Sequence, residues 1–159
     1  MIRNLFFIFS ILFVLSSCSK SAVSSCPYSE STITVPAAEA ASLQAYVTAN
    51  HPAAILHSSG LYYEITAAGA GSSPSICSTV TVKYSGYLTS GFKFDENLSG
   101  VTFALGQLII GWQKGLPLIK KGGSINLYLP PSLGYGSAGS GNIPGNSITI
   151  FVIQLVNVQ

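Results

Sequence analysis

The chain has 159 residues, of which 8% are charged, and its formal net charge at pH 7 is +2. This length suits one ordinary domain, and the absence of a basic cluster argues against a nucleic-acid-binding surface. The 16 glycines and the alternation of apolar with small polar residues favour a strand-rich domain.

The first residues have the pattern of an export signal. Arg3 precedes the apolar run Leu5–Leu15, which is too short to span a bilayer comfortably, and small residues follow it. The sequence Leu15–Cys18 also resembles a bacterial lipobox, which implies cleavage after residues 1–17 and lipidation of Cys18. The alternative is an ordinary cleavage site with a coincidental cysteine. We expect an exported lipoprotein anchored to a membrane, in the bacterial outer membrane facing the periplasm.

Two further cysteines, Cys26 and Cys77, remain for the exported domain. An oxidising compartment would let them pair, and the loop closed by such a disulfide is worth on the order of 4 kcal/mol on the chain-entropy model. The alternative is one buried and one free thiol, and the sequence supplies no distance that decides between them.

A lipidated cysteine and a serine-rich tether are expected in residues 18–35. From Pro36 an alanine-rich run predicts one helix that ends at Asn50, because proline suits a first helical position and alanine is the best helix former. We expect this helix, within a segment spanning residues 36–58, to pack on the domain as a small satellite. It is too short for a dimerisation arm, so a monomer is expected.

Six strands and one short helix are predicted in residues 59–159. In chain order they are the strands Leu61–Ile65, Thr79–Leu88, Phe92–Phe94 and Val101–Leu105, the helix Ile110–Ile119, and the strands Ser124–Leu129 and Ser147–Val158. Pro117 lies inside the predicted helix and should shorten or kink it. The fold class that fits is α+β, with a curved antiparallel sheet wrapped around one short helix.

The only tryptophan, Trp112, stands among apolar residues in the stretch FALGQLIIGWQKGLPL. A lone tryptophan is normally a core anchor because its large ring buries much apolar area. If the aromatic residues elsewhere converge on it, they line a concave apolar pocket typical of small-ligand sites. These residues are Tyr84, Phe94, Phe103, Tyr135 and Phe151.

No metal site and no nucleophilic triad is predicted. The two histidines, His51 and His57, stand six residues apart across a proline, a spacing without metal-binding character, and are expected to be exposed in loops. A Ser-His-Asp triad would need Asp95, the only aspartate, and no nucleophile elbow accompanies it.

Four segments match one family in order and spacing. They are VTVKYSGYLTSGFKFD (Val80–Asp95), FALGQLIIGWQKGL (Phe103–Leu116), IKKGGSINLYLPPSLGYG (Ile119–Gly136) and NIPGNSITIFVIQLV (Asn142–Val156). Together they resemble FKBP-type peptidyl-prolyl cis-trans isomerases. The resemblance implies an isomerase domain over residues 59–159 that acts on proline-containing polypeptides, with no cofactor, and that could bind macrolide inhibitors.

The resemblance also implies an apolar basin floored by Trp112. The residues expected to act on the substrate are Tyr84, Phe94, Asp95, Trp112, Tyr135 and Phe151, and those expected to bind it are Phe103, Leu108, Ile109 and Ile143. In this interpretation the Ile109 N–H and the Tyr135 hydroxyl orient substrate carbonyls, while Asp95 accepts the Tyr84 hydroxyl or meets the twisting carbonyl. The alternatives are that Phe103, Leu108 and Phe151 are only core, and that Asp95 only caps a turn.

Three functions stay open at this point. The first is an isomerase that assists the folding of exported proteins, and the second is a membrane-anchored proline-binding module with little activity. The third is an interaction protein that uses Ile150 and Val152, which place apolar side chains on the expected outer face of the sheet.

Overall fold

The computed structural model describes residues 26–159. The signal peptide expected in residues 1–17, the lipidation expected at Cys18 and the first part of the tether lie outside the described residues.

One antiparallel sheet of six strands organises the domain, in the order β1-β2-β5-β6-β3-β4. The elements in chain order are α1 (Ala37–Asn50), β1 (Ile55–Leu56), β2 (Tyr62–Ala67), β3 (Thr79–Leu88), β4 (Lys93–Ala104), α2 (Ile110–Gly115), β5 (Ser124–Leu129) and β6 (Thr149–Val158). Three single-turn 3-10 helices add Leu105–Gln107, Leu116–Leu118 and Pro131–Leu133. The strand that comes last, β6, lies between β5 and β3 and joins the two halves of the sheet.

The helix α2 packs closely against the inner face of the sheet because two of its residues lack side chains. A Cβ atom on Gly111 would lie 2.4 Å from the Leu129 methyls, and one on Gly115 would lie 2.5 Å from a Leu127 methyl. The helix ends at Gly115 and continues as a 3-10 turn that contains Pro117. Proline lacks the N–H that an α-helix interior needs, so the predicted shortening is confirmed.

The helix α1 packs on the opposite, outer face of the sheet. Its buried residues Leu43 and Val47 contact Tyr128, and Ile150 is half-buried beside them. Strand alternation places Tyr128 and Ile150 opposite the inward-facing Leu127 and Phe151. The open outer face predicted around Ile150 is therefore covered by α1, whereas Val152 is 48% exposed.

Several strand boundaries differ from the prediction, most of all in β4. The segments predicted as separate strands at Phe92–Phe94 and Val101–Leu105 lie largely within one strand, β4, because β3 pairs with residues on both sides of the sequence between them. A register shift between Val82 and Tyr84 accommodates residues 98–100, and a second shift, between Gly86 and Tyr87, falls at Phe94. The predicted boundary after residue 58 also cuts through the β1–β2 hairpin, since β1 lies before it.

The histidines are not the exposed loop residues that the sequence predicts. His51 directly follows the last residue of α1 and is half-buried, with its ring centroid 4.5 Å from that of Tyr128. His57 is half-buried too, and its Nδ1 lies 2.9 Å from the Ser59 hydroxyl.

Residues Cys26–Val35, which we call the strap, pack on the domain instead of forming part of a free tether. A disulfide joins Cys26 to Cys77, with the Cα atoms 5.5 Å apart. Farther along, the strap packs Tyr28 against Gly106 and Val35 against Gly60. The strap has no regular secondary structure, so it follows the surface by these side-chain contacts.

Candidate active site

A small aromatic cavity lies where α2 meets the inner face of the sheet. Its volume is about 90 Å³, far below the roughly 300–1,000 Å³ of pockets that bury drug-sized ligands. The lining residues are Tyr84, Asp95, Phe103, Leu108, Ile109, Trp112, Tyr135 and Phe151. The cavity thus brings together eight of the ten predicted site residues and has room for one small ring.

Trp112 forms the floor and is only 4% exposed. Its ring meets the rings of Tyr84 and Phe151 at centroid distances of 5.1 and 5.2 Å, with interplanar angles of 82° and 88°. These edge-to-face contacts are the arrangement that aromatic quadrupoles favour, so the three rings hold one another in place. The indole serves both as core anchor and as cavity floor, and the two interpretations of Trp112 are compatible.

Asp95 and Tyr84 form the polar rim. The Tyr84 hydroxyl donates a hydrogen bond of 2.6 Å to Asp95 Oδ2, while the other carboxylate oxygen accepts the Glu96 N–H at 2.8 Å. Burial, followed by this hydrogen bond to the carboxylate, raises the pKa of Tyr84 well above its usual value. The Tyr84 hydroxyl, which is protonated at neutral pH as any ordinary tyrosine is, fixes one carboxylate oxygen at the mouth of the cavity.

Phe94 lies behind the lining instead of in it. Its ring is edge-on to Tyr135 and Phe151, with centroids 6.1 and 5.6 Å away. It can lie there because Gly86 has no Cβ, and such an atom would be 2.6 Å from Phe94 Cε2 and 3.0 Å from Phe151 Cε1. Sequence reasoning missed Gly86, although a glycine inside a strand is a signal of close approach by another group.

The loop before α2 forms one wall of the cavity through Leu108 and Ile109. The Gln113 side-chain amide donates hydrogen bonds to the carbonyls of Leu108, at 2.7 Å, and of Gly106, at 3.3 Å. The Ile109 carbonyl accepts the backbone N–H groups of Trp112, at 3.0 Å, and of Gln113, at 3.2 Å. Gln113 was also missed, because its role depends on where the loop carbonyls lie.

The loop after β5 delivers Tyr135 to the cavity but not Ile143. Burial and the nearby Asp95 carboxylate raise the pKa of Tyr135, so this hydroxyl also remains a donor at neutral pH. Ile143 is 7% exposed, and its backbone N–H and carbonyl pair with Ser140 in a tight turn. Ile143 is not among the residues that line the cavity, and its predicted role in binding the substrate stays a prediction.

A larger groove, of about 640 Å³, lies between α1, the strap and the β1–β2 hairpin. Its lining includes a single titratable imidazole, that of His57, and no charged carboxylate or amine. The aromatic cavity is smaller but gathers rings, a carboxylate and two tyrosine hydroxyls around one point, which makes it the better candidate for chemistry.

Two further observations concern only residues 26–159. No three side chains of His, Cys, Asp or Glu are grouped there closely enough to hold a metal ion. None of the helices in that range is both long and apolar enough to cross a membrane.

The comparisons with known proteins agree with this geometry. A family model for FKBP-type peptidyl-prolyl cis-trans isomerases matches residues 71–156. The FKBP-type peptidyl-prolyl cis-trans isomerase FkpA of Escherichia coli strain K12 is 43% identical over 105 residues, which cover 64% of this chain and 39% of that protein. A probable FKBP-type peptidyl-prolyl cis-trans isomerase of Haemophilus influenzae is 44% identical over 105 residues, with coverages of 64% and 44%. The chain thus spans about two fifths of the length of these curated relatives.

Two solved structures share the fold. The crystal structure of FkpA from Escherichia coli superposes with a TM-score of 0.70 at 38% identity, covering 77% of this chain and 60% of that chain. A peptidyl-prolyl cis-trans isomerase from Pseudomonas syringae pv. tomato superposes with a TM-score of 0.69 at 25% identity, covering 81% of this chain and 99% of that chain.

The sheet, the short helices and the aromatic cavity together define an FKBP-like domain. The family model covers more than half of the 159 residues, and the chain belongs to the FKBP-type peptidyl-prolyl cis-trans isomerase family.

Proposed function

We propose that this protein is a peptidyl-prolyl cis-trans isomerase whose active site is the aromatic cavity over Trp112. The observation that carries the proposal is the convergence of Trp112, Tyr84 and Phe151 on a space of about 90 Å³ with Asp95 at its rim. A space of that size accepts the pyrrolidine ring of one proline, and this ring would stack on the Trp112 indole that forms the floor.

The catalytic step needs no covalent chemistry. Rotation about an X–Pro bond is slow because the C–N bond has partial double-bond character, with a barrier of about 18–20 kcal/mol. The planar amide is charge-separated and favoured by water, whereas the twisted amide has lost that resonance and is less polar at oxygen. A pocket walled by aromatic rings therefore binds the twisted form better than the planar form, and this differential binding lowers the barrier.

The polar groups at the rim would position the peptide. In the proposal the Ile109 N–H and the Tyr135 hydroxyl bind the carbonyls that flank the proline. The Asp95 carboxylate, oriented by Tyr84, makes weak polar contacts with the carbonyl group that rotates. Phe94 and Phe103 keep water from the ring, Phe94 from behind Phe151 and Phe103 from the cavity wall. Leu108 completes the apolar wall on the α2 side.

We further propose that the substrates are exported proteins and that the chain is a lipoprotein held through Cys18. The support is the apolar run and lipobox-like sequence at the N-terminus, together with the disulfide between Cys26 and Cys77, a bond typical of oxidising compartments. Labelled palmitate should enter the full-length chain in a bacterial host, and Cys18→Ala should abolish the labelling. Labelling that survives the substitution would contradict the lipid anchor.

The isomerase proposal is tested with the soluble chain that begins after Cys18. A protease-coupled or direct spectroscopic assay on an Ala-Leu-Pro-Phe peptide should show catalysed isomerisation that a macrolide inhibitor blocks. Asp95→Asn should lower kcat/KM by roughly tenfold or more, because preorganised polar groups at reacting atoms carry effects of that size. Trp112→Leu should lower it further, while Val152→Ser, on the exposed outer face, serves as the control.

Three outcomes are informative. Loss of activity in the Asp95 and Trp112 variants, but not in the control, supports the site. Unchanged rates in both variants would discard it. A wild-type chain that binds the peptide without accelerating isomerisation would favour the proline-binding module over the enzyme.

A further inference from the structure

The strap approaches the cavity from outside, at the loop that supplies one of its walls. The side chain of Tyr28 lies so close to Gly106 that a Cβ on this glycine would be 2.2 Å from Tyr28 Cγ and 2.5 Å from Cδ2. Gly106 lies in the 3-10 turn directly before Leu108 and Ile109, the two residues of that loop that line the cavity. The Tyr28 side chain therefore occupies the space that a side chain at position 106 would need.

The same loop is also held by the Gln113 side chain. Its amide nitrogen donates to the carbonyls of Gly106 and Leu108. Gly106 thus contacts the Tyr28 side chain, and its carbonyl accepts a hydrogen bond from the Gln113 amide. The Ile109 N–H follows three residues later, so its direction depends on these contacts together with the backbone hydrogen bonds that Leu105, Leu108 and the Ile109 carbonyl make.

Two anchors along the strap keep Tyr28 in place. Two residues before Tyr28, Cys26 forms a disulfide with Cys77, which lies two residues before the start of β3. Two residues after it, Glu30 forms an ion pair with Lys114 of α2, next to Gln113. The strap is therefore fixed on both sides of the ring, once to the start of the sheet and once to the helix that carries the cavity floor.

We propose that Tyr28 is a positioning residue for the isomerase site, which acts by pressing the Leu105–Ile109 loop into the conformation that presents Leu108 and the Ile109 N–H to the peptide. The inference rests on the proposed function. It adds a residue from outside the matched family region, which begins at residue 71, and it makes substrate binding depend on the strap.

The test compares Tyr28→Ala with Tyr28→Phe in the disulfide-intact chain that begins after Cys18. The alanine variant should raise KM by roughly three- to tenfold with kcat nearly unchanged, a smaller loss than the hundredfold that a 1 Å misplacement can cause. The phenylalanine variant should restore the wild-type KM, because the contact is made by the ring. Tyr46→Ala removes a half-buried tyrosine from α1 on the other face of the sheet and should leave KM unchanged.

Trp112 gives a second, independent readout because it is the only tryptophan. Loosening of the loop should shift its emission or increase its quenching by acrylamide in Tyr28→Ala but not in Tyr28→Phe. A Cys26→Ser/Cys77→Ser variant keeps the Tyr28 ring but lacks the disulfide that anchors the strap. It should raise KM as Tyr28→Ala does, by a smaller factor. This variant also tests the proposal if Tyr28→Ala fails to fold.

The outcomes separate the two proposals. A wild-type chain without isomerase activity overturns the proposed function, whatever the variants do. An active wild type whose KM and Trp112 emission do not change in Tyr28→Ala overturns the positioning role alone. An equal loss in Tyr28→Ala and Tyr46→Ala would show a general loss of stability and would also overturn it.

Discussion

Replacing Gly86 by alanine should damage the cavity from behind, without changing any residue that lines it. The new Cβ would lie 2.6 and 2.7 Å from Phe94 Cε2 and Cζ, and 3.0 Å from Phe151 Cε1. Carbon atoms in contact prefer separations of about 3.5–4.0 Å, so the Phe94 ring must move by roughly 1 Å. Phe151 is 2% exposed and has little space into which it can withdraw.

The expected cost follows from that displacement. Overpacking of this kind typically destabilises a domain by about 1–3 kcal/mol. Because Phe94 is only half-buried and can rotate outward, we expect the loss to fall in the lower half of that range. Isomerase activity should fall more than stability, since a ring shift of roughly 1 Å beside Tyr135 and Phe151 can cost up to about a hundredfold in rate.

The assay is urea unfolding followed by Trp112 fluorescence, together with peptide isomerisation under native conditions. The double variant Gly86→Ala/Phe94→Leu removes the two ring atoms that the new methyl group meets, so it should recover part of the stability lost in the single variant. The coupling between the two sites should lie in the range of about 0.5–3 kcal/mol that contacting residues show. A Gly86→Ala protein with wild-type unfolding midpoint and turnover would refute the idea that this glycine makes room for the ring.

Three further predictions concern pH, a distant hydrogen bond and the disulfide. The raised pKa of Tyr84 stabilises the fold below the unfolded-state pKa of about 10, and this stabilisation is lost as pH rises through the folded-state value. The urea midpoint should therefore fall above about pH 10, and it should fall less steeply with pH in Tyr84→Phe. Identical slopes of the midpoint against pH in the two proteins would contradict the linkage. The Glu39 carboxylate accepts the Ser132 N–H at 2.8 Å, so Glu39→Ala should lower the free energy of unfolding by about 1–2 kcal/mol, and Glu39→Gln should recover part of it in the same urea titration. Reduction of the Cys26–Cys77 disulfide, which links residues 51 apart, should lower that free energy by about 4 kcal/mol on the chain-entropy model, whereas a Cys26→Ser/Cys77→Ser protein should not respond to reductant.

Strict alternation made some strands predictable from the sequence. The bounds of β3 and β5 match the prediction, because Val80 and Val82, like Ile125 and Leu127, repeat every second residue and are buried. The pattern of β4 is weaker, since Asn97 interrupts it, and β4 is a strand because its partner β3 runs alongside it. Pairing with a neighbouring strand of this kind decides β structure, and it cannot be predicted from a short stretch of sequence.

The cavity itself was largely predictable, and its supports were not. The aromatic lining residues could be found because they matched a family pattern around the only tryptophan. Gly86, Gln113 and Tyr28 act through contacts between segments that are distant or irregular, so no local periodicity marks them. The roles assigned to Asp95 and Ile109 at the substrate stay predictions until the variants are measured.

The position of β6 in the sheet has a consequence for how the protein is made. The β1-β2-β5 group and the β3-β4 hairpin are joined within the sheet only by backbone pairing to this strand, which leaves the ribosome after the other five. Until it arrives, an edge of β5 and an edge of β3 are both unpaired and open to wrong partners. Until β6 is made, the five other strands can pair only as two separate groups. A protein that we propose assists the folding of others therefore completes its own sheet only with its last strand.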